Sequence, residues 1–338
     1  MRSMPRENFI RIMQGKKTEW YGNPWNCFHT TPEGKPFTPD AITVYLGRPE
    51  EGTVGFVDKW GVTWDFPDGQ PGPTPNITPE NKVIKDITRW RDYIEFPSIE
   101  NLPWTDFKNA ADSIDRENKL VLCGSVRGMF EFSHAVMGFE DALANYLLEP
   151  ERMFELLDAY SDWKVACAKA LIDEMRPDFI MNYDDWGSKT KLFMSPGVWR
   201  NIIKPAYKKY YGYIKSRGVM IMHHCDCYAQ DLAPDMAELG IDVWQGATPE
   251  NDIEAVIGQT EGKLLLLGGI DMSLIDFDDA PEESIRAHIR SVIDSYAPLG
   301  SFLPCYTSIR PVYNRVMEIA DDEMAKHGAA FAGRRKGE

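Results

Sequence analysis

The 338 residues are 43% hydrophobic, enough to bury a large core, and carry 52 acidic against 37 basic side chains, a net charge of −15. With one short basic cluster, Arg334-Arg335-Lys336, that balance excludes nucleic acid and anionic membrane as expected partners. No stretch of about 20 apolar residues is available to span a bilayer. The opening residues lack an apolar signal core, and six cysteines are too sparse for a disulfide scaffold, so a cytoplasmic protein with free or metal-binding thiols is expected.

In chain order, Phe9, Ile10 and Met13 fall at helical spacing and predict a short amphipathic helix from Pro5 to Met13, stopped by Gly15. The next section, to about Pro75, is rich in Trp, Gly, Pro and Asp. It contains Trp20, Trp25, Trp60 and Trp64, and residues 54–65 read as two short strands around a turn. Residues 1–85 are therefore expected to form an elaborated N-terminal cap. From residue 86 the pattern becomes strand, helix, strand. Strand-like runs lie at 120–124, 179–183, 219–222, 241–244, 264–268 and 301–303. Amphipathic segments at 142–148, 151–174, 197–216, 231–239, 253–259 and 281–297 separate most of them. This alternation predicts an α/β fold, one TIM (β/α)8 barrel domain spanning 1–338 with most of the barrel in 86–338. No Gly-x-Gly-x-x-Gly follows an early strand, which removes the main reason to prefer a dinucleotide-binding sheet.

A barrel delivers its chemistry at the C-terminal ends of its strands. The apolar run from Val219 to Met222 ends in His223-His224-Cys225-Asp226-Cys227, and a second run, Ser301 to Leu303, ends in Pro304-Cys305. Imidazole nitrogen and thiolate sulfur suit zinc, which is tetrahedral and keeps one position open when catalytic. The expected ligand set is His223, Cys225 and Cys305, with Cys227 and His224 as possible competitors. Asp184 and Asp185 follow another strand and are candidates to orient substrate, donate a proton or support a ligand. One of the pair is equally well explained as a helix N-cap. Arg127, Gln245, Trp186 and the cap residue Trp25 are expected to line the substrate site.

The opening Pro5 to Gly15, Asp184-Asp185-Trp186-Gly187 with Met194-Ser195-Pro196, the His-x-Cys after a strand, Glu238 to Asp242 and Gly268-Gly269-Ile270-Asp271 together resemble the uroporphyrinogen decarboxylase superfamily over almost the whole chain. Within it, His223-x-Cys225 followed by Cys305 resembles the zinc-dependent methyltransferases that work with corrinoid proteins. The resemblance implies a TIM barrel with zinc at its mouth and a separate protein that carries the corrinoid (cobalamin). It also implies a small methylated substrate, with methyl transfer from a methoxylated, aromatic donor to cobalt(I) as the expected reaction. Transfer from methylcobalamin to a thiol is the alternative, and a decarboxylase or a non-catalytic binding barrel stands further off. The decarboxylases hold their substrate's carboxylates with an arginine-rich N-terminal segment, and residues 18–27 here contain no arginine. The usual His-x-Cys-Gly is also replaced by His223-His224-Cys225-Asp226.

Overall fold

The computed structural model describes residues 4–16, 22–31, 36–70, 72–124, 126–306 and 313–334; Trp20 lies outside them. Nine strands are present among these residues. β1 (Thr53–Val57), β2 (Thr63–Phe66) and β3 (Thr74–Pro75) form a small antiparallel sheet. The first two are the expected hairpin. The remaining six, β4 (Leu122–Gly124), β5 (Phe179–Tyr183), β6 (Met220–His224), β7 (Val243–Ala247), β8 (Leu265–Gly269) and β9 (Phe302–Cys305), are parallel and hydrogen-bonded in sequence order. Helices Pro150–Met175, Lys204–Ser216, Ala233–Glu238, Ile253–Gln259 and Glu282–Tyr296 connect them. Extended residues of the cap close the wall: His29 N–H donates to Leu120 and Thr38 N–H to Leu122, both by β4. The turn Pro24–Cys27 packs against β9 on the other side. The fold is a TIM (β/α)8 barrel with an elaborated N-terminal cap.

Side chains alternate between the lumen and the helix layer, and the parallel register makes paired residues share a face. Phe179, Met220 and their partners form the lower lumen. Met181 pairs with Met222 above them, and Tyr183, His224 and Gln245 make the top layer. The bottom is plugged by aromatic rings: Phe9 of the N-terminal helix Pro5–Met13 meets Phe28 and Phe179 edge-on at 5.2 and 5.9 Å. Each such buried ring contributes about 2–3 kcal/mol of apolar transfer. Arg6 fixes that helix by a bidentate pair with Asp178, at 2.6 and 2.7 Å.

β4 and β5 end where expected, whereas β6 to β9 run one to three residues beyond the expected runs. β6 includes both histidines and β9 includes Cys305. A helix that the periodicity did not single out, Met129–Met137, follows β4, and Asn314–Arg334 closes the described chain. Among the described residues no helix is long and apolar enough to cross a membrane.

Candidate metal centre at the barrel mouth

His223 and His224 are consecutive on β6 and so face opposite ways. His223 lies in the layer between sheet and helices, fully buried, with its ring stacked on Trp186 at a centroid distance of 4.3 Å and its Nδ1 2.7 Å from the Tyr211 hydroxyl. Its Nε2 is buried without a hydrogen-bond partner. Burial lowers its pKa to about 3, so the ring is neutral. His224 faces the lumen, where its Nδ1 meets Gln245 Oε1 and its Nε2 lies 3.9 Å from Asp226.

Beyond His224 the chain leaves the strand and turns. Cys225 N–H donates to Gln245 O at 3.0 Å, and the turn packs against Gly246, whose φ of +97° favours glycine. A Cβ on Gly246 would stand 2.9 Å from the Cys225 carbonyl oxygen. The turn brings the Cys225 and Cys227 sulfurs to 3.2 Å from each other. Asp185, after β5, comes alongside and accepts the Asp226 N–H at 3.0 Å.

Two sets of donor atoms thereby come within 4.8 Å of one another among the described residues: Asp185 with Cys225 and Cys227, and Asp185 with His224 and Asp226. The expected trio His223, Cys225 and Cys305 is not brought together. His223 is turned out of the lumen by strand alternation, and Cys305 sits on β9 across the top layer. There its thiol donates to Tyr306 O at 3.3 Å, and burial raises its pKa to about 12, with the Gln245 and Trp25 side chains opposing the shift.

Asp185, Asp226 and Cys227 form one wall of a cleft of about 320 Å³ outside the ends of β5 to β8, with Lys189, Glu250 and Asp271 on its other sides. Burial raises the Asp185 carboxyl to about 6, with His224 opposing and Asp226 reinforcing the shift. Glu131, on the unforeseen helix, is raised well above the carboxylate range, first by burial and then by Asp185 and Asp184, while Arg127 opposes. The Asp185 backbone opposes the shift as well. Burial, then the neighbouring Cys227 sulfur, raises the Cys225 thiol as well.

Asp184 is the cap of the pair. Its carboxylate accepts Phe130 N–H, Glu131 N–H, Trp186 Nε1–H and Tyr207 O–H at 2.6 to 3.1 Å, and so holds the start of helix Met129–Met137. Trp186, expected at the substrate, is instead fully buried between Trp199 and His223. Arg127 is held at 2.6 Å by the buried Asp58 of the cap and lies 4.1 Å over the Trp64 ring. Behind this layer Lys164, wholly buried, donates to Val126 O, Arg127 O and Asn182 Oδ1 at 2.6 to 2.9 Å. Nothing in its helical setting distinguishes it in the sequence from a solvated lysine.

Fold and site define a TIM-barrel protein with a metal-competent mouth. The chain belongs to the uroporphyrinogen decarboxylase (URO-D) family, whose model matches residues 54–302. No curated protein matches it. Among solved structures, a methyltransferase from Methanosarcina mazei is similar with a TM-score of 0.62 and 14% identity, covering 95% of this chain and 99% of its own. At that identity the likeness is one of fold. A 3-keto-D-glucoside 4-epimerase from E. coli, in its apo form, is a weaker likeness, with a TM-score of 0.34 and 11% identity over 68% of this chain and 84% of its own.

Proposed function

We propose that the chain is a zinc-dependent methyltransferase of the URO-D family that moves a methyl group from a methoxylated substrate to the cobalt(I) of a corrinoid protein. The observation that carries this reading is the pair of buried thiols, Cys225 and Cys227, converging with Asp185 beside an open cleft. Two sulfurs and a carboxylate oxygen suit zinc. Zn–S bonds of about 2.3 Å set tetrahedral thiolates roughly 3.8 Å apart, so the pair has only to open by about half an ångström. Cys225, Cys227 and Asp185 would hold the ion, in place of the His223, Cys225, Cys305 set expected from spacing. Zinc in such a site supplies Lewis acidity to an oxygen that must leave with the electron pair of its methyl bond.

The chain's own residues serve that step. Glu131, whose carboxyl is pushed well above the ordinary range by burial and its carboxylate neighbours, would be the proton donor to the departing oxygen. Asp184 positions Glu131 by capping its helix. Gln245 fixes His224, and the Trp25 side chain stands beside the Cys305 thiol. Decarboxylation of a polycarboxylate is the poorer reading: Asp185, Asp226, Glu250 and Asp271 line the cleft, and Arg127 is already paired with Asp58.

The test is elemental analysis of the purified chain and its variants, followed by turnover of methoxylated aromatics with a cobalt(I) corrinoid protein. About one zinc per chain is expected, lost in Cys225→Ala, Cys227→Ala and Asp185→Ala and kept in His223→Ala and Cys305→Ala. Zinc lost from the last two and kept by Cys227→Ala would restore the spacing-based set. A metal-free wild type, or methyl transfer only from methylcobalamin to a thiol, would overturn the reading.

A further inference from the structure

The mouth holds a second donor set that the thiol centre does not use. Asp185, His224 and Asp226 each offer one atom, all within 4.8 Å of one another. The set combines an imidazole with two carboxylates. The imidazole is oriented as metal-binding histidines are. Gln245 Oε1 sits against Nδ1, and because an amide oxygen only accepts, Nδ1 carries the hydrogen and Nε2 presents its lone pair. That Nε2 is the atom turned towards Asp226, 3.9 Å away. Gln245 is 1% exposed and fixed in turn by donating to Tyr306 O at 3.4 Å, so the tautomer is imposed from inside the barrel. Asp185 belongs to both donor sets. A carboxylate has about four lone-pair sites, and the Asp226 N–H takes one of those on Oδ1.

We infer that the mouth carries a second divalent-cation site, formed by Asp185, His224 and Asp226, with Asp185 shared between it and the Cys225–Cys227 pair. The two sites differ in softness. Two thiolates select zinc, whereas one imidazole with two carboxylates suits a harder first-row ion such as Mn²⁺. Asp226 and Asp185 border the cleft, so the second ion is open to solvent on one side and keeps positions for water or substrate oxygen. The Asp185, His224 and Asp226 site does not depend on methyl transfer; only the sharing of Asp185 rests on the thiol centre proposed above.

The experiment is titration of the full chain with Mn²⁺, with and without prior zinc loading, followed by electron paramagnetic resonance of free Mn²⁺ and by elemental analysis. One Mn²⁺ per chain is expected in both preparations. His224→Ala and Asp226→Asn should each weaken it at least tenfold while zinc content and circular dichroism stay at wild-type values, and Asp226→Glu should recover most of the affinity. Cys227→Ser should leave Mn²⁺ binding in place. Absence of Mn²⁺ binding by the wild type at millimolar concentration, or equal affinity in wild type, His224→Ala and Asp226→Asn, overturns the second site. A wild type that takes Mn²⁺ through His224 and Asp226 but no zinc upholds it and removes the thiol centre instead.

Discussion

Asp185 is where the chemistry of single residues is most exposed to test. It stands at the edge of the cleft, yet its carboxyl is desolvated and faces Asp226. With its folded pKa raised to about 6, the native chain binds more protons than the unfolded chain between about pH 4 and 6, so stability falls as pH rises through that window. Above it the metal-free protein must carry a buried charge. Asp185→Asn removes that charge and is expected to raise the melting temperature of the metal-free chain by roughly 2–4 °C at pH 8, with no difference at pH 4. If Asp185 is a zinc ligand as proposed, the order should reverse at pH 8 in the presence of zinc, because the variant has lost it. Thermal scans at the two pH values, with chelator and with zinc, check both signs. The sequence made Asp185 legible as a strand-end acid, but not its partners. A His-His pair always sends one ring to each face of a strand. Which ring reaches the lumen depends on where the strand ends, and β6 runs two residues past the apolar signal.

At the scale of elements, the site hangs on how a helix is started. Asp184, after β5, caps a helix that follows β4, so a loop on one strand holds the chemistry delivered by its neighbour. The approach is close: a Cβ on Gly128 would lie 2.1 Å from the Asp184 Cβ, which is why only glycine fits before Met129. Asp184→Asn turns an acceptor of four hydrogen bonds into a group that must present its amide to at least one donor. We expect a loss of about 2–3 kcal/mol in denaturant unfolding, with zinc content kept. A catalytic Asp184 would instead lose turnover without losing stability. The strand and helix alternation that fixes the barrel was readable because buried parallel strands are continuous apolar runs. Helix Met129–Met137 was not, since it is buried nearly all round and has no polar face to set a period. The cap of that helix comes from Asp184, far along the chain, and no local pattern marks it.

For the whole molecule, the N-terminal cap and the barrel are joined through Asp58. Its buried carboxylate accepts Trp60 N–H, Val62 N–H, Trp64 Nε1–H and the Arg127 guanidinium. Asp58→Ala strands all four donors and should cost on the order of 3 kcal/mol, read as early proteolytic cleavage within residues 53–75. Arg127→Met should cost less, because Asp58 keeps three donors.

If the proposed methyl transfer to a corrinoid protein holds, the same scale governs that encounter. The chain's net charge is −15, and Asp226, Glu250 and Asp271 place part of that charge at the cleft. A partner that must bring its cobalt to this mouth approaches against repulsion unless it presents a basic rim, so a functional pairing requires opposite charge and an association rate that falls with salt. The rate of methyl transfer at limiting corrinoid protein should therefore drop as ionic strength rises from 0.05 to 0.5 M, on the order of tenfold. Asp271→Lys, in the lining of the cleft, should lower the low-salt rate and flatten that dependence, with zinc content unchanged. A rate indifferent to salt and to the reversal would mean that the partner docks elsewhere.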